Sequence, residues 1–331
     1  MEVTYSISSE APLVSIVCPT FNQENYIAQT IEGFISQRTL IPFEIIIHDD
    51  ASTDKTAAIV KECQRLHPEL ITVIQQAENQ YSKGIRVVPL AFSFARGEFI
   101  AYCEGDDYWI DAHKLEKQAR FLLENPEYGV VFSRAKILYE STQKLMASPN
   151  VSRFNKLSRD EQRVALCSGN PFVACTSMFR KSAVDGYWEI AKKLHARLDD
   201  LAIWFYILES KKIWFLDDLT AVYRVLPSSA SHFTNLTGKV SFQKSVYKVT
   251  LYFNRRFGSV VEKQKIRKRY AELLQEYCLE KSLYKDSIRY SRSCRNWAWS
   301  FLRVLARPFY FKLKLARLFF NRHLARYKTQ I

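Results

Sequence analysis

Four short apolar runs recur in the first third of the chain, and each of the first three leads into a segment of helical character. They are "LVSIVCPTF" (13–21), "FEIIIHDDAS" (43–52), "LITVIQQ" (70–76) and "EFIAYC" (98–103). Runs this short and β-branched, closed by turn-forming residues, read as strands buried on both faces. Between them, "NYIAQTIEGFISQ" (25–37) carries Ile27, Ile31, Phe34 and Ile35 near helical spacing. Ser52, Thr53 and Asp54 are cap formers ahead of the helical "TAAIVKECQRL", and "VVPLAFSFARG" predicts a short helix. Strand and helix in alternation constrain the fold to α/β: an open, mostly parallel sheet with right-handed crossovers. Ligands of such sheets bind outside the carboxyl ends of the strands. Three of those ends carry polar clusters here: "PTFNQE", "HDDASTD" and "EGDDYW".

Farther along, "HKLEKQARFLLENP" predicts a helix with Leu115, Phe121 and Leu122 facing inward, followed by the strand "GVVFSRAKIL". Residues 147–165 read as a polar loop and helix. "NPFVACTSMFRK" (170–181) and "KIWFLDDLTAVYRV" (212–225) read as strands flanking a helix around "DDLAIWFYILESK". From about Ser241 the pattern turns helical and basic. The net charge of +14 in 331 residues belongs to this end: from Arg255 onward there are 20 Lys and Arg against 5 Asp and Glu. The rest is nearly neutral, so the two parts need separate explanations. Seven cysteines without a CxxC pair, and an N-terminus with neither a basic segment nor an apolar core, predict a reduced, cytosolic protein. No run of 18 apolar residues suggests a transmembrane helix.

The acids at the strand ends carry the chemistry. Glu104, Asp106 and Asp107 on one tight turn can offer hard oxygen ligands to a single Mg²⁺ or Mn²⁺. They equally fit a solvated turn that caps the next helix. In "HDDASTD", Asp54 fits a helix cap, while Asp49 and Asp50 fit either a solvated strand end or acceptors for a nucleoside's N–H and hydroxyl groups. No GxGxxG follows the first strand and no GxxxxGK[ST] occurs, which disfavours a dinucleotide fold and a P-loop.

Taken together, "VSIVCPTFNQENYIAQTIEGFISQ", "FEIIIHDDASTDKT" and "ARGEFIAYCEGDDYWIDAHKLEKQ" resemble glycosyltransferase family 2, inverting nucleotide-sugar enzymes of the GT-A fold. The resemblance runs from about Leu13 to Val225. It implies a catalytic domain over 1–238, with 1–112 binding the nucleotide sugar and 113–238 facing the acceptor, followed by a basic helical region over 239–331. It implies that Pro19, Thr20 and Phe21 line the nucleobase, with Glu24 close by. Asp50 would accept from the base N–H and Asp49 would hold its loop. Glu104-Gly105-Asp106 would be the metal-binding DxD element, with Asp106 the direct ligand and Asp107 adjacent; Glu in the first slot departs from the commonest form. The cofactor would be Mn²⁺ or Mg²⁺ and the donor a nucleoside-diphosphate sugar, such as a UDP-sugar. Asp200 best matches the family's catalytic base, with Asp199 second, and a helix N-terminus there would lower its pKa. Relatives often carry a His two residues after a Tyr-Arg pair; that position is Leu226 here, and His232 lies six residues further on. The Gln-x-x-Arg-Trp signature of processive synthases is absent, which favours addition of one sugar. Trp109 fits either a sugar-stacking face or a packed aromatic, and Asp217-Asp218 fits a structural turn.

The segment "RNWAWSFLRVLARPFYFKLKLARLFFNRHLARYK" (295–328) interleaves aromatic and basic residues, with Arg303, Arg307, Lys314 and Arg317 near one side of a helix. Such a segment suits an anionic membrane surface, as a transferase acting on a glycan or lipid-linked acceptor at the inner face of the cell membrane would require. It also suits helices packed on the catalytic domain. It matches no nucleic-acid motif, so nucleic acid is not an expected partner. Two other functions fit the chain less well: a non-catalytic relative serving as a membrane module, and a nucleotidyltransferase, whose glycine-rich basic first loop "PTFNQENY" lacks.

Overall fold

The computed structural model describes residues 11–194, 199–227 and 236–280. His232 and the segment 295–328 lie outside the described residues. The chain divides into two compact units with boundaries after Phe233, Tyr247 and Val261.

The larger unit is built on one mixed sheet. Its elements run β1 (Val14–Thr20), α1 (Ile27–Ile35), β2 (Phe43–Asp49), α2 (Thr56–Leu66), β3 (Ile71–Gln75), α3 (Val87–Phe92), β4 (Phe99–Tyr102), β5 (Tyr108–Trp109), α4 (Lys114–Glu124) and β6 (Tyr128–Tyr139). There follow β7 (Lys144–Ala147), α5 (Arg159–Cys167), β8 (Met178–Arg180), α6 (Tyr187–Leu194), α7 (Asp200–Ile207), β9 (Lys212–Val225) and α8 (Leu236–Arg256), whose last turns belong to this unit. The strand order is β3-β2-β1-β4-β8-β6-β9-β5, with β7 paired to β6. All seven residues of β1 are buried, which is why its sequence is a continuous apolar run and not an alternating one. Ile27, Ile31 and Phe34 of α1 are fully buried, each contributing roughly 1.5–3 kcal/mol by leaving water.

The expected parallel order holds from β3 to β4. Beyond β4 the sheet changes character: β8 runs antiparallel to both β4 and β6, and β5 runs antiparallel to β9, while β6 and β9 pair in parallel. The strand predicted over 170–181 is only the three residues of β8, since 3₁₀ turns occupy Ala174–Thr176 and Lys181–Val184. Asp217 and Asp218 do not form a turn before the last strand. They sit in a bulge within β9, where two steps along β6, from Phe132 to Arg134, oppose four along β9, from Phe215 to Leu219. There Asp217 pairs with Arg134 and Asp218 with Lys117.

In the smaller unit, α9 (Lys263–Glu280) buries Ile266, Tyr270, Ala271 and Leu274 along one face. Lys263, Lys265, Arg267 and Arg269 on the same helix are exposed. Among the described residues no helix is long and apolar enough to cross a membrane.

Candidate active site

Strand order reverses at β1, which has β2 on one side and β4 on the other. The carboxyl ends of β1 and β4 therefore flank a switch point, the usual ligand crevice of an open α/β sheet. The turn Glu104–Asp107 leaves β4 into this crevice. The Gly105 amide donates to the Pro19 carbonyl at 3.2 Å, and the Thr30 hydroxyl donates to the Gly105 and Asp107 carbonyls at 2.9 and 2.6 Å. A Cβ on Gly105 would lie 2.5 Å from Gln23 Oε1 and 2.7 Å from Thr20 Oγ1, so only glycine lets the turn approach β1 this closely.

Glu104, Asp106 and Asp107 each place a carboxylate oxygen within 4.8 Å of the others. Burial pushes the Glu104 carboxyl up to about 7, with the charge of Asp106 adding to the effect. Burial also raises Asp106, and raises Asp107 well above the usual carboxylate range, where Cys175 and the other two acids add to it. Among the described residues no Lys or Arg forms an ion pair with any of the three.

The nearest positive group holds the turn by its backbone. Arg224, 4% exposed near the end of β9, donates from its guanidinium to the Asp106 carbonyl at 2.5 Å and to the Gln29 side chain. Its own amide donates to Asp107 Oδ1 at 2.8 Å, and Glu140 lies 3.1 Å from its Nε. The rings of Tyr26 and Tyr108 flank it, with centroids 5.0 and 4.4 Å away. Sequence reasoning used the Tyr-Arg pair only to locate a missing His. The available signal was an arginine among the apolar residues Ala221, Val222, Tyr223 and Val225 at the end of a strand. The missing His position, Leu226, is buried and apolar.

The other two clusters brace each other. Thr20 is buried and donates to Gln23 Oε1 at 2.7 Å, while Phe21 is 43% exposed beside it. Asp49 accepts from the amide and hydroxyl of Ser52. Asp50, 2% exposed, accepts from the amides of Gln80 at 2.8 Å and Tyr81 at 3.1 Å. Glu24 is committed to the start of α2: its carboxylate accepts from the Lys55 amide at 2.9 Å, and its amide donates to Asp54 at 3.1 Å.

Asp200 opens α7, and Asp199 precedes it. The two differ in their partners. Arg86 binds Asp199 through Nε at 2.9 Å and again through its terminal nitrogen, and the Tyr187 hydroxyl lies at 3.5 Å. Asp200 has a long contact of 3.4 Å from Asn170 and the amides of its own helix start, and no ion pair among the described residues. Its pKa is raised, not lowered as its place at a helix start predicts. Burial outweighs the pull of the Leu201 amide, and Asp199 adds to the rise. Asp200 and Asp199 also raise the pKa of Glu104, which places both acid groups in one electrostatic environment. Trp109 is the packed aromatic and not a sugar platform: it is 4% exposed, donates to the Cys175 carbonyl at 2.9 Å, and meets Phe34 edge-on.

With this geometry in view, the comparisons are decisive about kinship. The model of glycosyl transferase family 2 matches residues 15–188. The chain belongs to that family. It is 41% identical over 148 residues to an uncharacterized protein of Mycobacterium tuberculosis, covering 44% of this chain and 42% of that one. It is 37% identical over 114 residues to the Escherichia coli UDP-Glc:alpha-D-GlcNAc-diphosphoundecaprenol beta-1,3-glucosyltransferase WfgD, covering 34% and 42% of the two chains. The chain thus spans about two fifths of the length of these relatives. In fold it is similar to the mannosyltransferase PcManGT of Pyrobaculum calidifontis, solved with GDP-Man and Mn2+, at a TM-score of 0.56 and 16% identity over 85% of this chain and 79% of that one. The mixed sheet with flanking helices is therefore the GT-A arrangement.

Proposed function

We propose that this family-2 protein is an inverting glycosyltransferase. It moves one sugar from a nucleoside-diphosphate sugar, a UDP-sugar in the first instance, to a hydroxyl of a glycan or lipid-linked acceptor in surface polysaccharide assembly. The observation that carries this reading is the trio Glu104, Asp106 and Asp107. Three carboxyl groups meet within 4.8 Å at the switch point, none forms an ion pair among the described residues although the Arg224 charge eases Asp106, and Asp200 shares their environment. The donor set is all oxygen and its pKa values are raised by burial and crowding, so it fits Mn²⁺ or Mg²⁺. Asp106 would be the direct ligand, with Glu104 and Asp107 supporting it. The ion, when bound, neutralises charge that develops on the departing diphosphate.

The chain's own groups do the rest. Pro19, Thr20 and Phe21 line the nucleobase, Phe21 offering its exposed ring, while Asp50 accepts from the base N–H and Asp49 holds the adjoining loop. Glu24 supports this seat from the start of α2. Asp200 takes the proton from the acceptor hydroxyl as that oxygen attacks the anomeric carbon; the bond to the nucleoside diphosphate breaks on the opposite face, inverting the centre. A pKa raised by burial makes Asp200 a stronger base than a solvated aspartate. Asp199, ion-paired with Arg86, is less free to serve. The catalytic domain would cover 1–238, and 239–331 would place it on the anionic inner face of the cell membrane. The diphosphoundecaprenol acceptor in the name of the Escherichia coli relative favours such a setting.

Release of UDP from UDP-glucose, measured with Mn²⁺, tests the reading. Asp106→Ala and Asp200→Ala should each lower turnover by at least about a hundredfold. Full activity in both variants would overturn the site.

A further inference from the structure

One short segment touches both halves of the site. Between β3 and α3, the amides of Gln80 and Tyr81 donate to the Asp50 carboxylate, and the Asn79 side chain donates to the Asp50 carbonyl at 3.0 Å. Five residues past Tyr81, Arg86 reaches Asp199, 113 positions along the chain, with two guanidinium nitrogens on the same oxygen, Oδ1. Both side chains of this pair are 15% exposed, so solvent screens the contact little. The Tyr187 hydroxyl shares that oxygen, joining the preceding helix, α6, to the same point. Asp199 is the residue from which α7 starts, and Asp200 is the first residue of that helix.

Two N–H groups converging on one carboxylate oxygen, with the Tyr187 hydroxyl at the same atom, anchor that oxygen in place. Fixing Asp199 fixes the backbone that carries Asp200. Among the described residues Asp200 itself receives the 3.4 Å contact from Asn170 and the backbone amides of its own helix start, so its orientation depends on the chain that bears it.

We propose that Arg86 is a positioning residue for glycosyl transfer, and that the segment 79–86 is a brace through which occupancy of the nucleotide seat at Asp50 sets the direction of Asp200. The assignment rests on the reading of Asp200 as the base. It goes beyond that reading by giving Asp199 a structural partner and the segment a role. In the free protein the segment amides hold Asp50. A nucleobase N–H that joins these amides on the Asp50 oxygens ties the segment more firmly to its seat, and the restraint passes along six residues to the guanidinium.

The test uses the full chain, UDP with Mn²⁺ as the binding probe, and hydrogen exchange as a readout independent of turnover. In the wild type, UDP should slow amide exchange both at 80–81 and in the first turn of α7, residues 200–203. In Arg86→Ala the protection at 80–81 should remain and that at 200–203 should be lost. UDP affinity should stay within about threefold, while turnover of UDP-glucose falls about tenfold to a hundredfold at unchanged KM. Arg86→Lys, which keeps the charge without the fork, should recover part of the loss and guards against a variant that fails to fold. The brace is overturned if UDP leaves 200–203 unprotected in the wild type, or if turnover and UDP affinity fall together in Arg86→Ala. Failure of the parent reading looks different: UDP would protect neither segment, or Asp200→Ala would retain activity.

Discussion

Two acidic clusters lie in this site, and they are balanced in opposite ways. At Asp199 the guanidinium of Arg86 sits on the carboxylate itself. At Glu104–Asp107 the guanidinium of Arg224 sits on a backbone carbonyl, and the carboxylates meet only neutral donors, the Tyr102 hydroxyl on Glu104 and the Arg224 amide on Asp107. Burying an ion without a partner costs several kcal/mol, so a fold retains such a group only where it is neutralised or put to use. The first cluster is complete in the protein alone. The second has no ion pair among the described residues, and burial first, then mutual crowding, raises its pKa values; burial raises Asp199 too, so the contrast rests on the partners and not on the shifts.

The largest effect that would break this contrast is chelation. Stripping divalent ions with EDTA should abolish UDP release by about a thousandfold, the equivalent of several kcal/mol of lost charge stabilisation, and Mn²⁺ should restore it. Activity that survives chelation would mean that the acidic turn is as self-sufficient as Asp199.

Next in size is the residue that shapes the turn. Arg224→Ala removes the donor to the Asp106 carbonyl and to Gln29, and it leaves Tyr26 and Tyr108 facing a cavity. Mn²⁺ affinity, followed by titration, should fall about tenfold to a hundredfold, as it does when groups that orient metal ligands are lost. Arg224→Lys should rescue little, because an ammonium cannot reproduce the fork between two flanking rings. Unchanged affinity would show that the turn holds its shape without help from β9.

Gly105→Ala probes the same turn by volume alone. A methyl group must displace Gln23, Thr20 or Ile27, at a cost of about 1–3 kcal/mol. A matching fall in thermal stability, with Mn²⁺ affinity reduced as well, is the expected result.

The sequence made the parallel half of the sheet, proposed to bind the donor, far more legible than the half proposed to face the acceptor, for a physical reason. Strands β1, β2 and β4 are buried on both faces and joined by short crossovers, so apolar runs and terminal acids fall at fixed places in the chain. Asp49, Asp50 and Glu104–Asp107 could be found from such local patterns. The acceptor half depends on pairings across long separations. The shortness of β8 and the bulge at Asp217–Asp218 are set by partners on β4 and β6, which leave no local pattern. The ion pair between Arg86 and Asp199 spans 113 residues, and Arg224 meets Asp106 across 118. Neither contact has a sequence signature. The pKa of Asp200 was misjudged for the same reason: a helix start is visible in sequence, but the burial that overrides it comes from the rest of the fold.

One further buried ionisable group, at the start of α4, offers a test of this contrast. Lys114 is fully buried, donates to Gln118 at 2.8 Å, and lies 4.0 Å from the centre of the Trp109 ring. Were it protonated at neutral pH, it would be a counter-ion available to the turn. Burial lowers its pKa to about 7, with Cys103 and Cys175 opposing the shift, so the charge is half lost at neutral pH and largely gone by pH 8.5. An unfolded lysine titrates near 10.5, so between about pH 7 and that value the unfolded chain holds the extra proton. Stability from this group must therefore rise with pH across the window, and the full penalty is present below it. From pH 7 to 8.5 the rise should approach about 2 kcal/mol, at about 1.4 kcal/mol per unit. Lys114→Met removes the titration, so the stability difference between variant and wild type, read from urea melts, should shrink as pH rises over that range. Mn²⁺ affinity should be the same in both. A variant that binds Mn²⁺ more tightly would show that Lys114 carries a charge competing for the acidic turn, and the two clusters would then differ less than their ion pairs indicate.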